Sequence, residues 1–102
     1  MAMAETMRKS RSTDTVAQQV IRSATSAGAN YREAKRARSK AEFISKTTLA
    51  LQEMEETRYW LELIERRHLA EVCELLDESD QLIRLLSASV STAKRRNTDN
   101  HR

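Results

Sequence analysis

From Val16 onward the apolar positions of this chain fall at Val16, Val20, Ala24, Ala27, Tyr31 and Ala34, spaced by three or four residues. At 3.6 residues per turn such spacing keeps one helix face apolar. Asp14 stands where an N-cap would be useful. The phase passes Gly28 unbroken, so the spacing predicts one helix over 14–37 rather than a helix that ends with Gly28 as its C-cap. Ser39-Lys40-Ala41-Glu42 then reads as a capping box, a serine that caps the first turn and a glutamate that reaches back. Behind it Phe43, Thr47, Ala50, Met54, Thr57, Leu61 and Ile64 alternate spacings of four and three, a heptad-like face widened by Ile44, Leu51, Trp60 and Leu63. This predicts a second helix over 40–66.

Arg66-Arg67-His68 is a polar break whose cations suit the negative end of a helix dipole. A third stripe follows at Leu69, Val72, Leu76, Ser79, Ile83, Leu86, Val90 and Ala93, broadened by Leu75 and Leu82. It predicts a helix over 69–95 that ends near Lys94-Arg95-Arg96. Residues 1–12 have little apolar content and read as a disordered basic arm, 13–96 as the helical domain and 97–102 as a frayed tail.

Composition strengthens this reading. There is no proline and one glycine in 102 residues, so the tight turns that a multi-strand fold needs have few residues to make them. The expected fold class is all-α, an antiparallel helical bundle. A chain of this size buries a modest core, and thin helical chains often complete theirs by association. The lone Cys73 excludes an intramolecular disulfide and is expected to behave as a buried small hydrophobe. No apolar run has the length of a membrane span, and the first residues lack the apolar stretch of a signal peptide. A cytoplasmic protein is expected.

Charge is unevenly spread. Residues 1–40 carry a balance of +6, residues 41–83 of −7 and residues 84–102 of +4, for a net +3. Such segregation points either to a nucleic-acid face or to charge-complementary packing. Arg32, Lys35, Arg36, Arg38 and Lys40 crowd the end of the first helix and the turn after it, with Arg22 further back. These six are the candidate nucleic-acid-binding residues, since clustered cations can track phosphates. Stacking aromatics are missing nearby apart from Tyr31, which argues against base-specific single-strand readout. The competing reading is a solvated helix end whose cations complement the dipole or pair with acidic helices.

Catalytic chemistry finds little to work with. Glu65-Arg66-Arg67-His68 matches the Glu-x-x-His element of di-iron bundles, but a full site needs a second such motif and two more glutamates. His101 stands alone in the tail. One glycine cannot make a phosphate loop or a nucleophile elbow. The expectation is a non-enzyme with no cofactor and no bound metal. Three residues are candidates for helix packing or assembly. Gly28, between Ala27 and Ala29, lets another helix approach closely. Asn30 lies near the apolar face, where an asparagine can fix register. Trp60 needs a partner for its indole N–H if buried.

Three stretches together carry a resemblance: Arg22-Ser23-Ala24-Thr25-Ser26-Ala27-Gly28-Ala29-Asn30-Tyr31-Arg32-Glu33-Ala34, Ser39-Lys40-Ala41-Glu42-Phe43-Ile44, and Glu56-Thr57-Arg58-Tyr59-Trp60-Leu61-Glu62-Leu63. In this order, within residues 16–95, the chain resembles the four-helix bundle proteins encoded by intervening sequences in bacterial 23S rRNA genes. Relatives of that family include accessory proteins of diversity-generating retroelements. The resemblance implies a bacterial antiparallel bundle that closes as a ring-like homopentamer and has no established catalytic activity. Its retroelement relatives look like basic scaffolds that bind a reverse transcriptase and nucleic acid. The chain departs from the pattern in its first helix: family members carry another amphipathic helix ahead of the Gly28 helix, and residues 1–13 are not amphipathic. Either the start codon is misassigned or this is a three-helix variant. The function expected is a non-catalytic oligomeric scaffold associating with nucleic acid, RNA in particular, through its basic patch. The alternative is a purely structural interaction module whose charges serve self-assembly.

Overall fold

A computed structural model describes residues 11–67 and 71–99 of the chain, with side chains described over 14–67 and 71–96. Among the described residues the fold is all-helical: α1 (Arg11–Lys35), α2 (Lys40–Arg66) and α3 (Cys73–Asp99). The described part measures 57 × 20 × 17 Å. Chain direction alternates, so α1 and α3 both run antiparallel to the central α2.

α1 starts earlier than its apolar stripe. No Gly or Pro interrupts Arg11–Thr13, so Asp14 lies in the first turn, where its charge complements the helix dipole, and is not the cap. The basic arm expected over 1–12 thus contributes Arg11 and Ser12 to the helix; its other residues lie outside the described ones. The helix continues through Gly28 and stops at Lys35, two residues short of the predicted end. There the Arg36 N–H donates to Glu33 O and the Ala37 N–H to Ala34 O, both at 3.1 Å. These i→i−3 bonds tighten the last turn and satisfy carbonyls that a helix end would leave open.

α2 occupies Lys40–Arg66. Ser39 has an extended backbone (φ −150, ψ 162), and its Oγ accepts from the Glu42 N–H at 3.1 Å, the serine half of the capping box. The buried residues of α2 are Thr47, Ala50, Met54, Thr57, Leu61 and Ile64, the heptad face of the sequence without its half-buried first member Phe43.

The third helix begins later than the pattern indicates. Glu71 and Val72 are not helical, α3 starts at Cys73, and Leu69 lies outside the described residues. The Val72 carbonyl accepts the first helical bond, from the Leu76 N–H at 2.9 Å. Val72 is 1% exposed and packs beside Leu61 and Ile64. An antiparallel return needs chain to turn in, and the apolar phase runs straight through that turn, which hid the break. As the first residue of α3, Cys73 is exposed and not buried. α3 also runs on through Asn97 to Asp99, so part of the tail expected to fray is helical; no Gly or Pro stops it after Ala93.

The core has two layers. One joins Ala17 and Val20 to Leu61, Ile64 and Val72; the other joins Ala27 to Ala50, Met54 and Leu86. Between them lies a polar layer: Ser23 and Thr57 are both buried, and their hydroxyls are 2.7 Å apart. The small residues on α1 and α2 let the two backbones pack closely. The backbones of α1 and α3 hardly approach each other, each leaning on α2. An open groove of about 330 Å³ remains between them, walled by Val20, Ala24, Gly28 and Tyr31 on α1 and by Leu75, Leu82 and Leu85 on α3.

Candidate nucleic-acid interface

Alternating helix direction gathers one end of each helix. The C-terminus of α1, the 36–39 turn, the N-terminus of α2 and the C-terminus of α3 share one end of the molecule. Five of the sequence-predicted cations, Arg32, Lys35, Arg36, Arg38 and Lys40, stand there, and all are exposed. α3 brings Lys94, Arg95 and Arg96 to the same end; Lys40 and Arg96 line one depression together with Phe43, Ser89 and Thr92. Sequence reasoning placed these three cations at a helix terminus but did not join them to the cluster. The signal was present in the basic balance of residues 84–102, and it needed the up-down-up topology to be read.

None of Arg32, Arg36, Arg38, Lys40, Arg95 and Arg96 makes an ion pair with another described residue. Lys35 stands 5.2 Å above the ring of Tyr31, a cation–π contact that leaves its charge at the surface. Glu33 is engaged by Lys46 at 2.7 Å. The hydrogen bond from that pair, and then its charge, hold Lys46 above the usual lysine range and keep it protonated. Arg32, Arg36, Arg38, Lys40, Arg95 and Arg96 therefore keep their charge free for a polyanion, and Tyr31, half-buried with Lys35 over one face of its ring, is a poor platform for a base.

Arg22 does not join this end. It lies 14 residues from Arg36, roughly 20 Å along the axis, and its guanidinium reaches α2, with Nη1 3.4 Å from Glu53 and Nη2 against Glu56. Arg58 similarly ties α2 to α3 by donating to Asp80, and it bonds Glu62 at 2.7 Å. The Asp80 hydrogen bond, then the Glu62 one, raise its already high pKa.

The three packing candidates have distinct surroundings. A Cβ built on Gly28 meets nothing within 4 Å, so within one chain the glycine faces the open groove and no helix crosses it. Asn30 turns back on its own helix, with Nδ2 donating to Ser26 O at 3.0 Å. Trp60 is half-buried against the first core layer, and its indole N–H donates to Glu56 at 3.3 Å. Tyr59 meets Trp60 edge-on with ring centroids 5.0 Å apart.

Among the described residues no group of three or more His, Cys, Asp or Glu could hold a metal ion. His68 of the Glu-x-x-His motif lies outside the described residues. No described helix is long and apolar enough to cross a membrane.

The 23S rRNA-intervening sequence protein family matches residues 2–88 of the chain. The chain belongs to that family. A solved structure from Bacteroides thetaiotaomicron, a protein of unknown function from the S23 ribosomal protein family, is 40% identical with a TM-score of 0.70. The match covers 74% of this chain and 72% of that one. No curated protein matches the sequence. The family match spans α1, α2 and α3 as far as Ala88, so it contains the turn cations but not Lys94, Arg95 and Arg96.

Proposed function

We propose that this chain is a non-catalytic, self-associating helical scaffold that holds nucleic acid, RNA foremost, by its basic end. The observation that carries the reading is the convergence of Arg32, Lys35, Arg36, Arg38 and Lys40 with the cations of the α3 terminus. Neutralising phosphates there releases condensed counterions, so affinity should be sequence-tolerant and steeply salt-dependent. The aromatic-poor surface favours contacts to the phosphate backbone over base stacking.

A second reading has its own support. Arg22, Lys46 and Arg58 show that cations of this chain are used to tie helices together. If all the charges serve packing and assembly, the chain has no nucleic-acid affinity to lose. Binding of a structured RNA and of duplex DNA between about 50 and 200 mM salt separates the two, because electrostatic binding falls steeply over that range. The expected result is binding that weakens with salt, and its loss in Arg36→Glu/Arg38→Glu without a change in helicity or assembly. No binding at about 50 mM salt overturns the phosphate reading. The assembly proposed is the ring-like homopentamer that the resemblance implies; particle mass by sedimentation tests it, and a stable monomer overturns it.

A further inference from the structure

The depression between the start of α2 and the last turns of α3 is an open hollow of about 480 Å³, lined by Lys40, Phe43, Leu85, Ser89, Thr92 and Arg96. That volume is in the range of small-molecule sites. Lys40 and Phe43 are one turn apart on α2, and residues 85, 89, 92 and 96 follow one face of α3 at helical spacing. The two helices are antiparallel, so both faces run from apolar to cationic toward the same end of the molecule. The hollow is therefore apolar inside, at Phe43 and Leu85, and cationic at its outer rim, at Lys40 and Arg96.

Its groups are open to a ligand. Phe43 belongs to a stripe whose other members are all buried, yet it is only half-buried. Leu85 is 58% exposed. Ser89 donates to Leu85 O at 3.0 Å, which leaves the lone pairs of its Oγ to accept. Thr92 makes no hydrogen bond with a described residue, so its hydroxyl can donate or accept. Neither rim cation has an ion-pair partner among the described residues.

An apolar side chain or a lipid tail would fill the floor and leave the rim charges idle. Inorganic phosphate would use the rim and leave the floor empty. A nucleotide within a strand carries both parts, a flat base with polar edges and phosphates on either side. In a helical stem that base is stacked and paired, whereas a bulge or loop can turn it outward.

We propose that the hollow takes one unpaired base of an RNA strand. The base lies against Phe43, its edge meets the Ser89 and Thr92 hydroxyls, and the flanking phosphates lie on Lys40 and Arg96. The site deepens the nucleic-acid reading above and rests on it, naming bulged or looped RNA as the preferred form. Phosphate contacts still carry most of the affinity, and stacking one base on one aromatic adds roughly a factor of ten.

Two RNA hairpins, one fully paired and one with a single unpaired nucleotide in its stem, test the site when titrated against the full chain at about 50 mM salt. The parent should prefer the bulged hairpin roughly tenfold. Phe43→Leu keeps an apolar side chain on the helix face but removes the ring. Ala88→Leu, at an exposed position lining the hollow, fills it. Both variants should lose the preference and keep the parent's helical signal and its affinity for the paired hairpin. Thiouridine at the unpaired position should photo-crosslink to the peptide that holds Phe43 or to the one that holds Ser89 and Thr92. Equal binding of the two hairpins overturns the base site but leaves the phosphate contact standing, with the hollow then left to an apolar side chain of another protein. A preference that survives both variants, or crosslinks confined to other peptides, overturns it too, since the bend of the bulged stem would then be what is read. Binding of neither hairpin overturns both proposals.

Discussion

Thr47 lies in the middle of α2 with no exposed surface, and its Oγ1 has no hydrogen-bond partner. Thr48 next to it is satisfied by donating to Ile44 O at 2.7 Å. A buried hydroxyl without a partner costs about 1–3 kcal/mol of desolvation. Thr47→Val keeps the shape and a similar helix propensity and removes that cost. The variant should be about 1 kcal/mol more stable, which raises Tm by about 4–8 °C in a domain of this size; a lower Tm in a thermal melt would mean that the hydroxyl is bonded after all. At this scale the sequence is only partly legible. The heptad pattern places Thr47 on the buried face of α2, but nothing in the pattern says whether its hydroxyl finds an acceptor. Asn30 shows the same limit. Its position near the apolar face is readable, but its choice of Ser26 O over a neighbouring helix depends on side-chain geometry alone.

The contact between α1 and α2 is fixed by a short polar network inside an apolar layer. Thr57 Oγ1 lies 2.8 Å from Glu53 O, Ser23 Oγ 2.9 Å from Gln19 O, and the two hydroxyls meet at 2.7 Å. Two protons thus serve three acceptors, and whichever hydroxyl donates across the interface leaves its own backbone carbonyl to the helix bond alone. One-residue or one-turn slippage of α1 along α2 would separate the pair and bury both hydroxyls against methyl groups, so the pair selects register as well as adding stability. Ser23→Ala and Thr57→Val should each cost about 1 kcal/mol, and the double variant should cost clearly less than their sum, because removing both partners leaves nothing unsatisfied. Additive losses in denaturant melts would show that the hydroxyls do not interact. Element existence, type and order were legible in the sequence because the stripes are long and in phase. The boundary of α3 was not, since Val72 keeps the helical phase while serving the turn. The α1 stripe was also read slightly rotated: Ala17 and Ser23 take buried positions, whereas Val16, Ala24 and Tyr31 are half-buried. Among the described residues α1 has α2 as its one broad neighbour, and its remaining apolar edge faces the groove.

At the scale of the whole molecule, charge is sorted by topology more than by sequence order. Cations more than fifty residues apart, Lys40 and Arg96, line one depression, while Arg22, counted with the turn cluster on sequence grounds, is held by Glu53 and Glu56 on α2. This separation makes a specific expectation about which cations bind phosphate. Reversal of Arg95 and Arg96 to Glu should weaken RNA binding about as much as reversal of Arg36 and Arg38, and should flatten the salt dependence, since each lost phosphate contact removes roughly 0.9 from the slope on B-DNA and about 0.7 on single strands. Arg22→Ala should leave both affinity and slope unchanged. Its cost belongs to folding and should be small, no more than about 1 kcal/mol, because the side chain is half exposed and such pairs are screened. Measured in one series by RNA titration at several salt concentrations, with thermal melts alongside, the three variants sort the cations into two groups. If Arg22→Ala reduces affinity as strongly as the turn reversals, phosphate tracks along α1 and not across the basic end. If the Arg95→Glu/Arg96→Glu variant binds like the parent, the α3 terminus is no part of the interface, and the cations of the 36–39 turn and its flanks carry it alone.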